Sequence, residues 1–215
     1  MEKEADLLLA DVKEKLQFLS LLGVGFVTRE SSAPSLEETI LGCQRCPLAR
    51  TRTHAVPGEG DKNAELMFIG EAPGRDEDIQ GRPFVGKAGQ LLTKIIEAMK
   101  FQREEVYITN VVKCRPPGNR NPQEDEIASC RDFLLEQIER INPKVIVTLG
   151  RVAASFFIRS SLGMTALRGD FHDFQQIRVM PTFHPSYLIR NEGNKELKKM
   201  VWEDMKKVMA FLGKK

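Results

Sequence analysis

Apolar residues in this 215-residue chain fall into short runs that alternate with amphipathic segments. Such alternation is typical of βαβ units, which build a parallel sheet covered by helices. Four apolar runs predict strands at Glu65–Ile69, Val106–Thr109, Val145–Leu149 and Ile177–Pro181. Four amphipathic segments predict helices at Ala88–Lys100, Gln123–Ile141, Val152–Arg159 and Lys195–Leu212. The pattern therefore indicates an α/β fold.

The N-terminal segment has a pattern of its own. Apolar residues recur near a 3.6-residue spacing from Ala5 to Leu22, which predicts a helix, and Gly, Ser and Pro then punctuate residues 23–34. Ser35 and Glu38 form a capping-box pattern, which marks the start of another helix. We therefore divide the chain into a helical extension with its linker, residues 1–34, and a main domain, residues 35–215. The extension is a candidate contact for an unknown protein partner.

Composition and charge narrow the class of protein. No apolar run approaches the ~20 residues of a membrane span, and the N-terminus is acidic where a signal peptide would be basic. We expect a soluble, monomeric, cytoplasmic protein that does not enter a membrane. Its formal net charge is only +2, so binding to nucleic acid would require a local basic patch.

Four cysteines are candidate metal ligands that would brace the domain. Cys43 and Cys46 form a CxxC pair, whose thiolates can reach one metal, while Cys114 and Cys130 follow the second predicted strand. A reducing cytosol disfavours disulfides between them. Their spacing suits zinc and an iron–sulfur cluster equally well. Two other interpretations are four unrelated buried thiols and a thioredoxin-type redox pair, which would require the CxxC pair between a strand and a helix.

Polar residues and glycines directly follow the four predicted strands. The segments are Gly70–Gly74, Asn110, Gly150 and Phe183–Ser186. The carboxyl ends of parallel strands form the ligand crevice of an open sheet. We therefore expect these four segments, distant in sequence, to converge on one site.

Taken together, the motifs resemble those of the family 4 uracil-DNA glycosylases. The similarity runs from about Cys43 to the C-terminus and rests on the order of Gly70-Glu-Ala-Pro-Gly74, Gly81-Arg-Pro-Phe-Val-Gly86, Asn110 and His184-Pro-Ser186 among the four cysteines. The resemblance implies a three-layer α/β/α sandwich around a four-stranded parallel sheet. It also implies a [4Fe-4S] cluster on the cysteines, in preference to zinc. The implied activity is hydrolysis of the N-glycosidic bond of uracil in single- or double-stranded DNA.

The resemblance also implies roles for individual residues. Phe84 would stack on uracil, and its polar and glycine neighbours favour exposure near a ligand over core burial. Asn110 would pair with uracil O4 and N3–H, which cytosine cannot match. His184 would stabilise the departing base, and Glu71 would position water or stabilise the cationic sugar. The remaining base contacts are Gly70, Ala72 and Glu77. The implied DNA contacts are Lys87, Ser186 and Arg190, with Leu188 as the apolar wedge in the emptied stack.

The chain departs from the wider superfamily in one motif. Relatives there carry a Gln-Asp-Pro-Tyr motif. In this chain Ala72 stands in place of the water-activating Asp of that motif, and Gly74 stands in place of its thymine-excluding Tyr. Glu71 or Glu77 is then the candidate substitute. A branch that traps DNA covalently has an inserted Lys-Arg-Arg-Ile-His segment, and its absence between Cys114 and Pro122 predicts turnover. A non-catalytic iron–sulfur DNA-binding or redox protein of the same fold is the second class of function, favoured by Ala72.

Overall fold

The computed structural model describes residues 33–214 together with Lys15. The helices are α1 Leu36–Leu41, α2 Arg75–Gln80, α3 Lys87–Ala98, α4 Glu124–Ile141, α5 Arg151–Phe157, α6 Met164–Leu167, α7 Pro185–Arg190 and α8 Lys195–Phe211. The strands are β1 Glu59–Gly60, β2 Leu66–Gly70, β3 Tyr107–Asn110, β4 Val145–Leu149, β5 His172–Phe174 and β6 Ile177–Thr182. The helix predicted at Ala5–Leu22 lies outside the described residues except for Lys15, which is helical. The division between residues 34 and 35 stays a prediction.

The six strands form one mixed sheet in the order β1-β3-β2-β4-β6-β5. Strands β3, β2, β4 and β6 are parallel to their neighbours, whereas β1 and β5 pair antiparallel at the two edges. The α/β class is confirmed, but the sheet is larger than the four strands predicted. The edge strands have only two and three residues, too few to produce a periodic pattern.

Strand β2 shows why helices cover both faces of this sheet. All five of its residues are buried. Leu66 and Phe68 pack in one apolar cluster with residues of α3 and α8, whereas Met67 and Ile69 pack in a second cluster with residues of α1 and α4. A strand buried on both faces has a continuous apolar run rather than an alternating one. The run at Glu65–Ile69 was recognisable for this reason.

Helix boundaries follow local capping chemistry. At the start of α1 the Ser35 Oγ accepts the Glu38 N–H at 3.2 Å, and the Glu38 carboxylate accepts the Ser35 N–H at 2.7 Å. The predicted capping box is confirmed. The four long predicted helices begin and end within two residues of their expected positions. Helices α2, α6 and α7 were not predicted, because four to six residues are too few to show an apolar repeat.

The length and hydropathy of a helix determine whether it can cross a membrane. Among the helices in the described part of the chain, none combines the length and the apolar character needed to cross a bilayer.

Candidate active site

A cavity of about 680 Å³ opens where the four parallel strands end. Residues that follow β2, β3, β4 and β6 all line it: Glu71–Gly74, Asn110, Gly150 and Phe183–His184. The predicted convergence of the strand ends is therefore present in the structure. The loop after Cys114 adds Pro116 and Asn119–Asn121 to the lining.

Asn110 is the last residue of β3 and is 1% exposed. Its Oδ1 is buried and has no hydrogen-bond partner among the described residues. Leaving a buried acceptor unpaired costs about 1–3 kcal/mol, so this atom requires a partner that the described residues do not supply, such as water or a bound molecule. The position is therefore suited to receive a donor from a bound molecule.

Gly70 does not line the cavity, but it lies close to two residues that do. A Cβ at this position would lie 2.5 Å from Phe84 Cζ and 2.4 Å from Asn110 Oδ1. Real Cβ atoms do not approach other atoms so closely, so a larger residue would displace both side chains. The absence of a side chain at Gly70 thus leaves room for the Phe84 ring and the Asn110 carboxamide.

Phe84 is 6% exposed and belongs to the apolar core, so the expected exposure of its ring was wrong. The ring nevertheless lines the cavity and packs against His184, with 5.7 Å between ring centroids. Its φ of 50° is in the left-handed region, which strains a non-glycine residue. Arg103 helps to hold this loop by donating to the Pro83 carbonyl at 2.6 Å.

Glu77 holds the same loop from the other side. One carboxylate oxygen accepts the N–H groups of Val85 and Gly86, both at 2.9 Å, and the other accepts the Gly74 N–H at 3.1 Å. Glu77 lines the cavity, but both of its oxygens are occupied by backbone donors. The structure thus places Glu77 as a brace between the two glycine-rich loops, and any effect on the base would pass through them.

Glu71 is the carboxylate of this site without such partners. Its carboxylate makes no hydrogen bond or ion pair within the described residues, and it lines the cavity beside Ala72 and Gly74. Partial burial raises the pKa of Glu71 above its ordinary value. A desolvated carboxylate with a raised pKa is a stronger base than one in water. Of the two acidic candidates, Glu71 is the one whose oxygens are available for chemistry.

His184 caps the N-terminus of α7 and is oriented by Ser186. Its Nδ1 accepts the Ser186 backbone N–H at 3.1 Å and lies 2.8 Å from the Ser186 Oγ. Because Nδ1 is an acceptor, the neutral ring carries its proton on Nε2. Burial, with a smaller contribution from the positive charge of Arg190, lowers the pKa of His184 to about 4. At neutral pH the ring is therefore an uncharged Nε2–H donor.

The residues expected to contact DNA lie in different environments. Ser186 and Arg190 line the cavity, whereas Lys87 is exposed at the start of α3, outside the lining. Leu188 is 4% exposed and packs in the core cluster that contains α3 residues. A wedge must project from the surface, so the placement of Leu188 does not fit that role.

All four cysteines line a second, small cavity. Three N–H groups reach their sulfurs: Arg52 Nη1 to Cys114 at 2.9 Å, the Lys113 backbone to Cys130 at 3.3 Å, and the Arg45 backbone to Cys43 at 3.4 Å. Hydrogen bonds of this kind orient and stabilise metal-ligating thiolates. Within the described residues, no three His, Cys, Asp or Glu side chains are grouped so that they could hold a metal ion.

Burial changes the acidity of two of these thiols. It raises the pKa of Cys114 to about 11, and it raises the pKa of Cys130. Both are therefore neutral thiols at physiological pH unless a cation is bound. Metal binding at this site must displace their protons.

Lys113 lines the cysteine cavity and donates a hydrogen bond to Asn110, which lines the large cavity, and it was missed by the sequence interpretation. It is 1% exposed, and its Nζ donates to Thr109 Oγ1 at 2.7 Å, the Asn110 carbonyl at 2.7 Å and Gln137 Oε1 at 2.6 Å. Burial lowers the pKa of Lys113 to about 7. A lysine beside a cysteine has no distinguishing pattern, so nothing in the sequence marked it as buried.

The sequence of this chain matches a known protein family and several of its members. The sequence profile of the Uracil DNA glycosylase superfamily matches residues 57–206. The type-4 uracil-DNA glycosylase of Thermotoga maritima is 49% identical over 189 residues, which cover 87% of this chain and 98% of that protein. The type-4 enzyme of Saccharolobus solfataricus is 46% identical, with 84% and 86% covered, and that of Sulfurisphaera tokodaii is 47% identical, with 82% and 83% covered. The chain therefore belongs to the type-4 uracil-DNA glycosylases of the uracil DNA glycosylase superfamily.

Proposed function

We propose that this protein removes uracil from DNA by hydrolysing its N-glycosidic bond, which leaves an abasic site and starts base excision repair. The observation that carries the proposal is the buried Asn110 carboxamide at the strand-end cavity, whose Oδ1 has no hydrogen-bond partner in the described part of the chain. The activity named for the three type-4 relatives supports the same conclusion. The non-catalytic alternative is not favoured by these relatives.

Recognition of uracil follows from the two ends of the Asn110 amide. The Oδ1 would accept the uracil N3–H, and the Nδ2 would donate to uracil O4. Cytosine presents an amino group and an unprotonated N3 at these places, so both contacts would be mismatched. Each mismatched buried group costs about 1–3 kcal/mol, which is sufficient for discrimination. The Phe84 ring would supply the flat apolar wall on which the base stacks.

Bond cleavage requires stabilisation of opposite charges on the two fragments. As the C1′–N1 bond breaks, its electron pair moves to the uracil ring, and the neutral His184 Nε2–H would donate to O2 to stabilise that anion. The carboxylate of Glu71 would stabilise the cationic sugar and take a proton from the water whose oxygen bonds to C1′. Ala72 has no carboxylate to activate water, and the Glu77 carboxylate is occupied by three backbone N–H groups. Glu71 is therefore the residue that we assign to this role.

Access to the bond requires the nucleotide to leave the base stack. Extrusion costs a few kcal/mol, and least where the base is mispaired or single-stranded. The basic and polar groups on this side of the protein, Lys87, Ser186 and Arg190, would contact the DNA backbone and offset that cost. We therefore expect activity on both single- and double-stranded substrates.

We further propose that Cys43, Cys46, Cys114 and Cys130 hold a [4Fe-4S] cluster, with zinc as the alternative. The chemistry of the donor set fits, since four thiols line one cavity and N–H groups reach three of the sulfurs, but the described side chains would have to turn toward a common centre to bind the cluster. When bound, the cluster would join the segment before the sheet to the loop and helix after β3. Its role is structural, because hydrolysis of the glycosidic bond transfers no electrons. Brown protein containing iron and acid-labile sulfide is expected, whereas colourless protein with stoichiometric zinc would contradict the cluster.

The enzyme would act in the cytoplasm. A reducing cytoplasm would keep the cysteines available as ligands. In that setting the enzyme would act as a monomer.

The activity is tested with an oligonucleotide that contains a single uracil. Purified protein is incubated with the single-stranded and the duplex forms, and alkali then breaks the strand at abasic sites. Cleavage at the uracil position in either form supports the proposal, and the same sequence with cytosine at that position is the control. If neither uracil substrate is cleaved, the enzymatic function is wrong.

A further inference from the structure

We propose that Tyr187, and not Leu188, enters the DNA base stack when the uracil nucleotide is extruded. The inference rests on the proposed function. It assigns the side chain that fills the gap in the duplex and delays return of the base.

The geometry of α7 separates Tyr187 from its neighbours. Successive residues of an α-helix point about 100° apart, so residues 187, 188 and 189 face three directions. Leu188 points into the core and is 4% exposed, whereas Tyr187 is 38% exposed and lines the large cavity. Ile189 is 36% exposed but lies outside the cavity lining. Tyr187 is thus the apolar side chain of this helix that is both exposed and adjacent to the base site.

The Tyr187 ring packs on the buried ring of Phe183. It packs against Phe183, with 5.4 Å between ring centroids and 33° between planes, and Phe183 is 8% exposed. The Tyr187 N–H donates to the His184 carbonyl at 2.9 Å. The ring therefore belongs to the same helical turn as His184, so insertion into DNA would also bring His184 to the extruded base.

The chemistry of the ring suits a gap in a base stack. Every base has a π-face, so an aromatic side chain can stack on either flanking base regardless of sequence. Among the described residues that line the cavity, Tyr187 is the only aromatic residue that is more than a third exposed. Arg190, one turn later on the same helix, lines the cavity too and can neutralise a phosphate beside the inserted ring.

The test compares Tyr187→Ala with Tyr187→Phe on matched single-stranded and duplex uracil substrates. A single strand has no partner strand to hold the base in a stack, so only the duplex requires a wedge. We expect Tyr187→Ala to lower kcat/KM on the duplex by at least about tenfold and on the single strand by less than about threefold. Tyr187→Phe keeps the ring and should restore activity on the duplex.

Two neighbouring substitutions serve as controls. Ile189→Ala removes an exposed side chain outside the cavity and should leave both activities unchanged. Leu188→Ala should lower the melting temperature, because it opens a space in the core. Its two activities should change in parallel, without selectivity for the duplex.

A rescue experiment separates insertion from simple support of the fold. A duplex with a bulky polycyclic aromatic group opposite the uracil already fills the stack, and it should restore Tyr187→Ala to within about threefold of the wild type. Equal losses on both substrates, failure of the rescue, or a duplex-selective loss in Leu188→Ala would overturn the assignment. Absence of wild-type activity on both substrates would instead contradict the proposed function.

Discussion

Gly70 lies opposite Asn110 in the register between β2 and β3, so close that a Cβ on Gly70 would be 2.4 Å from the Asn110 Oδ1. The same Cβ would be 2.5 Å from Cζ of Phe84. One glycine therefore limits where the Asn110 amide and the Phe84 ring, both of which line the cavity, can lie. A substitution at Gly70 should therefore affect activity and stability to different degrees.

Substitution of Gly70 by Ala should impair activity more than folding. The clashing atoms are the ends of two side chains, which can move, but a displacement of about 1 Å at a reactive site can cost about 100-fold in rate. We expect kcat/KM for uracil release to fall by about 100-fold, with only a small decrease in melting temperature. Gly193→Ala is the matched control, since no atom lies within 4 Å of a Cβ there. Full activity in Gly70→Ala would show that the close approach is unimportant.

Substitution of Glu71 by Gln should lower activity and raise stability. The loss of a general base typically costs about 10²–10⁴-fold in rate. Burial raises the pKa of Glu71, so the folded state disfavours its charged form. That unfavourable contribution is present above the folded pKa and disappears as the pH falls below it. Unfolding measurements should find Glu71→Gln more stable than wild type at mildly alkaline pH and equal to it in acid; a less stable variant at alkaline pH would contradict this.

Substitution of Glu77 by Gln should lower stability, whereas substitution of Glu71 by Gln should raise it. Glu77→Gln replaces a carboxylate that accepts three backbone N–H groups by an amide, whose NH₂ group cannot accept them. We expect the free energy of unfolding to fall by about 1–3 kcal/mol for the unpaired backbone groups. Activity should fall as well, because the loop that holds Phe84 loosens. Denaturant titration of the two variants in parallel provides the comparison, and a stabilised Glu77→Gln would refute the bracing role.

The neutral state of His184 predicts a dependence of stability on pH. Burial lowers its pKa from 6.5 to about 4, so the unfolded chain binds a proton that the folded protein excludes. This stabilising contribution is complete above pH 6.5 and is lost as the pH falls to about 4. His184→Gln has no titrating group, so its stability should fall less than that of wild type over this range. Parallel pH profiles of unfolding free energy for the two proteins would contradict the neutral, buried ring.

The parallel core of the fold could be predicted because its physical basis is local. Strands buried on both faces, such as Leu66–Gly70, leave continuous apolar runs, and parallel strands bring their carboxyl ends together. The positions of Asn110 and His184 at the cavity followed from that rule alone. The edge strands β1 and β5 left no pattern, because so few residues carry no periodicity.

Side-chain burial was less predictable, because it depends on contacts between distant segments. Phe84 lies in the short segment Gly81–Gly86 with two glycines and an arginine, yet the hydrogen bonds that Glu77 and Arg103 make to this loop hold the ring inward. Leu188 faces the core because of the way its helix packs, and Lys113 is buried because Gln137, far along the chain, accepts from its Nζ. No local sequence pattern encodes these contacts.

The central claim is that the Asn110 carboxamide recognises uracil within the cavity. The most direct test is single-turnover release of uracil from a single-stranded oligonucleotide by Asn110→Ala, with thermal unfolding of each protein. Thr148→Ala is the matched control, because Thr148 Oγ1 is also buried, has no hydrogen-bond partner among residues 33–214, and lies outside the cavity lining. Loss of two hydrogen bonds to the base should slow Asn110→Ala at least about 100-fold with little change in melting temperature, while Thr148→Ala retains its rate. A rate for Asn110→Ala within a few-fold of wild type would contradict the account.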